Sequence, residues 1–189
     1  MSAPARETAT LAGGCFWCLE AACQQLRGVT AVASGFSGGD PRVTTYEAVC
    51  RGTSGHAEVV QVEFDPAVVS FRTLLEVFFT LHDPTTLNRQ GADIGSQYRS
   101  AVFFHSPEQQ ATAAAVIAEL SAEGIWADPV VTEVVPFERF LPADEHHASY
   151  YRRHAQQPYC RSVIAPKLAK LRARWTPLLR ASEGEEAAR

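Results

Sequence analysis

The feature that most constrains this chain is the segment Gly13–Cys18 (GGCFWC), where a strand-like stretch gives way to a helical pattern. After the glycine turn, apolar residues recur at helical spacing as far as Gly28, which can end a helix. Cys15 is therefore predicted in the first turn, where unpaired backbone N–H groups and the helix dipole favour a thiolate. Phe16 and Trp17 can supply an apolar pocket beside it. Most free cysteines are buried packing residues, and the helical pattern alone does not decide between the two interpretations.

Composition and charge restrict the class of protein. The hydrophobic fraction of 46% and the charged fraction of 20% are those of an ordinary globular chain. The net charge is −4 and basic residues are scattered up to a C-terminal helical segment, so no nucleic-acid partner is expected. No stretch has the apolar length of a membrane span, and the N-terminus lacks the apolar core of a signal peptide. We therefore expect a cytoplasmic protein without a membrane partner.

The length of 189 residues is sufficient for one domain with a substantial core. Residues 1–189 are predicted to form a single catalytic domain that is ordered from about residue 8 to residue 176. Residues 1–7 and 181–189 are polar and poor in large apolar side chains, so both ends are expected to be flexible. A monomer is expected.

The cysteine pattern does not fit a disulfide framework, because five cysteines at irregular spacing leave one unpaired. In a reducing cytosol such residues indicate redox chemistry or burial. Cys23 and Cys50 are interpreted as inert packing residues. The remaining cysteines are Cys15, Cys18 and Cys160.

Strand and helix patterns alternate along the chain. Strands are predicted at 8–11, 29–36, 60–64, 98–105 and 130–135, and helices from Cys15 and after the capping residues Ser70 and Ser106. This order fits an α+β fold, a two-layer α/β sandwich with a ferredoxin-like split βαβ core. The sheet is expected on one side and the helices on the other.

Four blocks of sequence in this order resemble the peptide methionine sulfoxide reductase A family, whose members reduce the S epimer of methionine sulfoxide. The blocks are Gly14–Trp17, Gly55–Glu58, Gly91–Ser100 and Pro158–Cys160. The resemblance covers nearly the whole chain. It implies the same α+β fold, with a long, largely irregular C-terminal segment that wraps the core.

The chemistry of a sulfoxide explains why these residues are needed. Its sulfur is a poor electrophile until the oxygen is protonated, so reduction requires a nucleophile, an acid and a dry pocket for the methyl group. The resemblance implies that Cys15 attacks the sulfur and that Glu58 supplies the proton. It also places Phe16 and Trp17 against the S-methyl group. Apart from its motif, Glu58 would be read as a solvated charge at the end of a strand.

Four further residues match substrate-binding positions of the family. Tyr46 and Tyr98 match tyrosines whose hydroxyls hydrogen-bond the sulfoxide oxygen, and Asp93 matches an acidic residue that orders water and the substrate backbone. Tyr150 matches another pocket tyrosine. The stretch Glu145–Tyr150 departs from the family's Tyr-His-Gln-Asp-Tyr pattern.

The sulfenic acid left on Cys15 would condense with a second thiol to form an intramolecular disulfide. Cys160 matches the family's resolving cysteine, and Pro158 on an irregular tail suits a mobile arm. Cys18 lies one helical turn from Cys15, as in Cys-x-x-Cys redox motifs, and is the alternative. We favour Cys160. Thioredoxin or another dithiol would then reduce the disulfide, and no resident cofactor is expected.

Two other functions fit parts of the pattern. Cys15 and Cys18 could belong to a thioredoxin-like disulfide oxidoreductase, although the bulky residues between them count against it. A metal- or peptide-binding domain is the non-enzymatic alternative. His146, His147 and His154 lack the spacing of a zinc site, so no metal is expected. The predicted partners are thioredoxin and methionine S-sulfoxide, free or in oxidised proteins.

Overall fold

A computed structural model describes residues 6–43 and 45–181, including their side chains except those of Tyr46 and Cys50. The strands are β1 (Glu7–Gly13), β2 (Val29–Ser37), β3 (Ala57–Phe64), β4 (Arg89–Gln90), β5 (Asp93–Ile94), β6 (Ser100–Phe104), β7 (Glu133–Pro136) and β8 (Leu141–Pro142). The α-helices are α1 (Phe16–Cys23), α2 (Tyr46–Cys50), α3 (Phe71–Leu81), α4 (Pro107–Ala122), α5 (Tyr150–His154) and α6 (Ala165–Trp175). Short 3₁₀-helices lie at Ser96–Tyr98, Glu145–His147 and Thr176–Leu178, and a π-helical turn lies at Cys160–Ile164.

Six strands form one sheet in the order β7-β6-β1-β3-β2-β8, and β4 and β5 form a separate hairpin. All neighbours in the large sheet are antiparallel except β6 and β7, which are parallel. The predicted combination of a central sheet with packed helices is confirmed. The finer ferredoxin-like assignment stays a prediction, because β7 and β8 extend the sheet at both edges.

Helix caps occur where the sequence predicts them. The Ser70 hydroxyl accepts a hydrogen bond from the backbone N–H of Thr73 at the start of α3. The Ser106 hydroxyl accepts one from Gln109 at the start of α4, where Pro107 occupies the first helical position. These bonds satisfy N–H groups that have no partner within their own helix.

The main core lies between the sheet and the helices, and it includes the C-terminal helix. Leu168 and Leu171 of α6 are completely buried in this core. A smaller apolar cluster on the opposite face of the sheet is covered by Phe137 and Phe140. The two clusters hold β1 and β3 from both sides, and these are the strands that lead to the site.

The first helix is shorter than predicted, since α1 ends at Cys23 rather than continuing to Gly28. Leu26 forms an antiparallel bridge with Leu179, which pulls the chain out of the helix. Gly28 does adopt a positive φ of 84°, but it serves the turn into β2, where its carbonyl accepts the N–H of Asp65.

The C-terminal region is more regular than the predicted irregular segment. Helical structure begins at Pro158, passes through the π-helical turn and continues to the end of α6 at Trp175. The physical reason is that Leu168 and Leu171 recur at helical spacing and bury the same face. Two predicted strands also begin later, at Ser100 and Glu133.

The predicted single domain stays an expectation. Of the ends expected to be flexible, residues 1–5 and 182–189 lie outside the described residues, whereas Glu7 is part of β1. Within the described ranges, no helix combines the length and the hydrophobicity needed to cross a membrane.

We predict that Leu171→Ala lowers the free energy of unfolding by about 2–5 kcal/mol, because it leaves a cavity where α6 enters the core. Urea denaturation would measure the change, with Lys170→Ala on the exposed side of the same helix as the control. Equal stability of the two variants would show that α6 is not part of the core.

Candidate active site

The turn between β1 and α1 places Cys15 at the N-terminus of α1. Gly14 has a φ of 90°, and a Cβ at this position would lie 2.6 Å from the Gln90 side chain, so only glycine fits. Cys15 is the N-cap residue itself, one position before the predicted first turn, and its carbonyl accepts the N–H of Cys18 at 3.1 Å. Its side chain is buried, because the residue is only 8% exposed.

Glu58 reaches the same helix end from the sheet. It is the second residue of β3 and is paired with Phe36 of β2. Its Oε2 accepts the backbone N–H of Phe16 at 3.1 Å, which gives α1 the capping partner that the Cys15 side chain does not provide. A carboxyl group therefore lies next to the Cys15 thiol at the positive end of a helix.

Burial gives this carboxyl an unusual acidity. Desolvation is the main cause that raises the pKa of Glu58 to about 7; the Phe16 N–H opposes the shift, and the charges of Asp93 and Cys18 add to it. Both the protonated and the ionised form of Glu58 are therefore populated near neutral pH. A carboxylic acid with this pKa can donate a proton under physiological conditions.

Cys15 and Cys18 behave as a pair. The Cys15 thiol donates a hydrogen bond to Cys18, and this is the main cause that raises the pKa of Cys15 and lowers the pKa of Cys18. Burial adds to the increase at Cys15, while the positive charge of Lys167 assists the decrease at Cys18. The resting negative charge therefore favours Cys18, although the sequence predicts a thiolate at Cys15.

A cavity of about 260 Å³ opens at this helix end. Of the residues predicted from sequence, six meet here. The complete lining consists of Cys15, Phe16, Trp17, Phe36, Val49, Gly52, Glu58, Asp93, Gln97, Tyr98, His147 and Tyr159. Cys18, Tyr150 and Cys160 are not among these residues, and the predicted Tyr46 side chain lies outside the described part of the structure. Aromatic rings thus surround a thiol and a carboxyl group.

The Trp17 wall of the cavity is held from two sides. The indole Nε1 donates a hydrogen bond to His147 Nδ1 at 3.0 Å. Burial is the main cause that lowers the pKa of His147, and the charge of the nearby His146 lowers it further. Tyr150 stacks on the Trp17 ring with 3.7 Å between centroids and 4° between planes. Tyr150 therefore supports the pocket wall, whereas the sequence predicts a direct contact with substrate.

Tyr159 is a member of the site that the sequence analysis missed. Its hydroxyl donates a hydrogen bond to Asp93 Oδ2 at 2.7 Å, and its ring meets Trp17 edge-on at 6.0 Å. It also interacts with Cys15, and burial is the largest of the causes that raise its pKa. Its position next to Cys160 in the Pro-Tyr-Cys block was the available signal. Burial likewise raises the pKa of Tyr98 to about 12, so this phenol stays protonated as a hydrogen-bond donor.

The sequence predicts that Cys160 lies on a mobile arm, but the structure shows that it does not. It is completely buried and opens the π-helical turn that leads into α6. Burial is the main cause that raises the pKa of Cys160, and the negative charge of Cys18 adds to the increase. π-Helical turns interrupt regular helices and are frequent at functional sites.

Two buried histidines outside the cavity have hydrogen-bond partners within the protein. His82 contacts the Phe78 carbonyl at 2.9 Å and the Ser100 hydroxyl at 2.7 Å, and His56 contacts the Ser54 hydroxyl at 2.8 Å. In residues 6–43 and 45–181, no three His, Cys, Asp or Glu side chains are grouped as metal ligands would be.

Comparison with known proteins assigns the family. The family model for peptide methionine sulfoxide reductase matches residues 7–178. Peptide methionine sulfoxide reductase MsrA of Polynucleobacter asymbioticus is 53% identical over 176 residues, which cover 93% of each chain. Reduced Mxr1 from Saccharomyces cerevisiae has a TM-score of 0.76 at 33% identity, covering 82% of this chain and 89% of that one. Mxr1 in complex with Trx2 has a TM-score of 0.55 at 26% identity, covering 77% and 84%.

The chain belongs to the peptide methionine sulfoxide reductase family. The enzyme class predicted from the sequence is thus confirmed. The alternatives of a thioredoxin-like oxidoreductase and of a metal- or peptide-binding domain are set aside. The individual roles of the site residues stay predictions, which rest on the geometry described above.

We predict that the rate of sulfenic acid formation falls as the pH rises through about 7, because Glu58 loses the proton that it donates.

The substitution Glu58→Ala should slow sulfenic acid formation by about 10²–10⁴-fold. Glu58→Gln should slow it less, because an amide still donates a hydrogen bond. Single-turnover kinetics would measure both effects. Glu63→Gln, on the exposed part of the same strand, is the control. A Glu58→Ala rate equal to that of the unaltered enzyme would remove Glu58 from the chemistry.

Proposed function

We propose that this enzyme reduces the S epimer of methionine sulfoxide to methionine, both in polypeptides and in the free amino acid. The observation that carries the proposal is the meeting of a buried thiol, Cys15, and a buried acid, Glu58, at one helix end that faces an aromatic cavity. A sulfoxide combines an apolar methyl group with a polar oxygen, and this cavity offers a surface for each.

The substrate would enter with its methyl group against Phe16 and Trp17. Its oxygen would face the Glu58 carboxyl and the Tyr98 hydroxyl, both of which line the cavity. The Tyr159 hydroxyl already occupies one oxygen of Asp93, which leaves the other carboxylate oxygen to accept from the substrate backbone. Such fixed donors and acceptors distinguish the two epimers at sulfur.

In the chemical step, the Cys15 sulfur donates an electron pair to the sulfoxide sulfur and passes its proton to Cys18. Glu58 protonates the sulfoxide oxygen. The resulting hydroxyl group then transfers to Cys15. A bond forms between the Cys15 sulfur and that oxygen, the bonds from the substrate sulfur to the oxygen and to Cys15 both break, and the substrate sulfur leaves as methionine with an electron pair. Cys15 is thereby oxidised to a sulfenic acid, and the substrate is reduced by two electrons.

Cys18 is proposed as the first thiol to resolve the sulfenic acid. Its sulfur already interacts with Cys15, and a Cys-x-x-Cys pair at a helix start can close without large backbone movement. The Cys18 proton would leave with the hydroxyl as water. The sequence favours Cys160 because that residue is expected on a mobile arm. The structure removes this reason, because Cys160 is buried in a helical turn. Cys160 is then the second thiol. By thiol–disulfide exchange it can attack Cys18, which forms a Cys18–Cys160 disulfide and releases Cys15 as a thiol.

A dithiol protein of the thioredoxin type would return the disulfide to two thiols. Support comes from the Mxr1 structure with bound Trx2, whose Mxr1 chain matches this one over most of its length. The mechanism uses only side-chain protons and thiol electrons, so no resident metal or cofactor is proposed. The monomeric state and the cytoplasmic location stay expectations from the sequence.

We predict that one equivalent of methionine S-sulfoxide produces a Cys15–Cys18 disulfide, detected by peptide mapping after rapid acid quenching. Cys15→Ser should release no methionine. Cys18→Ser should lose this disulfide, and Cys160→Ser should still form it while losing thioredoxin-driven turnover. Cys23→Ser, a buried cysteine on the same helix, is the control. A first disulfide between Cys15 and Cys160 with Cys18 still reduced would restore Cys160 as the direct resolving thiol.

A further inference from the structure

The proposed mechanism leaves one buried acid unused. Glu20 lies on α1, only 2% of its surface is exposed, and it does not line the cavity. Burial is the main cause that raises its pKa. A carboxyl group removed from water in this way needs hydrogen-bond partners within the protein.

Those partners are at the start of α5. Glu20 Oε1 accepts the backbone N–H of Ser149 at 3.0 Å, and the carboxyl also accepts the backbone N–H of Tyr150. Ser149 has a left-handed φ of 49°, and its side chain does not cap α5. Its hydroxyl accepts Gln24 Nε2 of the α1 end instead, at 3.1 Å. The first helix therefore supplies the cap that α5 lacks.

The first residue of α5 connects this cap to the substrate pocket. Tyr150 follows the capped Ser149 directly and lies flat on Trp17, the stacked pair described above. Trp17 in turn lines the cavity. Any shift of the α5 start along α1 would move the tyrosine ring and with it the support of the indole.

We propose that Glu20 is a positioning residue for the pocket, because its carboxyl group fixes the start of α5 so that Tyr150 holds Trp17 in place for the substrate methyl group. The proposal rests on the function proposed above and adds a residue that supports the pocket wall from outside the cavity. Glu20 acts through Tyr150 and touches no reacting atom.

The test compares Glu20→Ala, Glu20→Gln and Tyr150→Ala. Glu20→Ala should raise the KM for methionine S-sulfoxide by about two- to tenfold, the scale of one aromatic stacking pair, with kcat unchanged. Glu20→Gln keeps an acceptor oxygen and should restore most of the affinity. Glu123→Ala, an exposed acid at the end of α4, should not change either constant.

The double variant decides between positioning and general destabilisation. If Glu20 acts through Tyr150, adding Glu20→Ala to Tyr150→Ala should raise KM no further. Additive increases in KM would overturn the proposal. So would a Glu20→Ala enzyme with lower kcat and normal KM, since that result indicates a smaller folded fraction.

A readout without substrate separates this proposal from the proposed function. Replacing Trp126 and Trp175 by phenylalanine leaves Trp17 as the only tryptophan of the chain. In that background, Glu20→Ala should increase the quenching of Trp17 fluorescence by acrylamide, and Glu20→Gln should not. Equal quenching in all three proteins would refute the positioning role even if the enzyme reduces sulfoxides as proposed.

Discussion

The hydrogen bond from the Phe16 N–H to the Glu58 carboxyl group is the contact on which the site depends. It joins the central strand β3 to the first residue of α1, immediately after Cys15. Because the carboxyl group is buried there, it is still partly protonated near neutral pH, and the positive end of the helix stabilises its negative charge after the proton leaves. One interaction thus caps the helix and holds an acid next to a thiol.

The remainder of the site is arranged around that helix end. Trp17 is supported by His147 and Tyr150, and Asp93 is held by Tyr159. These partners come from the C-terminal third of the chain, which folds back as α5 and α6 over α1. The pocket therefore combines α1 with residues from the middle and from the C-terminal third of the sequence, and its walls depend on the packing of α6 into the core.

Sequence reasoning located the thiol, the acid and much of the cavity because each lies within a short motif with a chemical rationale. It placed Cys15, Phe16 and Glu58 without any knowledge of distances. It did not foresee that Tyr150 lies on Trp17 rather than in the cavity, since motif matches give positions along the chain but not the direction of a side chain. Tyr159 was overlooked for the same reason.

The cysteines show a second limit. Proline and an apparently irregular tail suggested a mobile Cys160, but burial of Leu168 and Leu171 makes that region helical and encloses the thiol. Tertiary packing overrode a local signal here. The pairing of Cys15 with Cys18 depends on the distance between two sulfurs, and spacing in sequence shows only that such a pairing is feasible.

The pKa of Glu58 itself is the most direct test of the account. It can be measured in the reduced enzyme by a ¹³C NMR titration of labelled glutamate carboxyl groups, with the resonance assigned through Glu58→Gln. The account predicts a midpoint near 7, because the group is desolvated at the helix end. A midpoint near the ordinary value of 4.5 would show that the carboxyl is ionised at neutral pH and does not act as the acid.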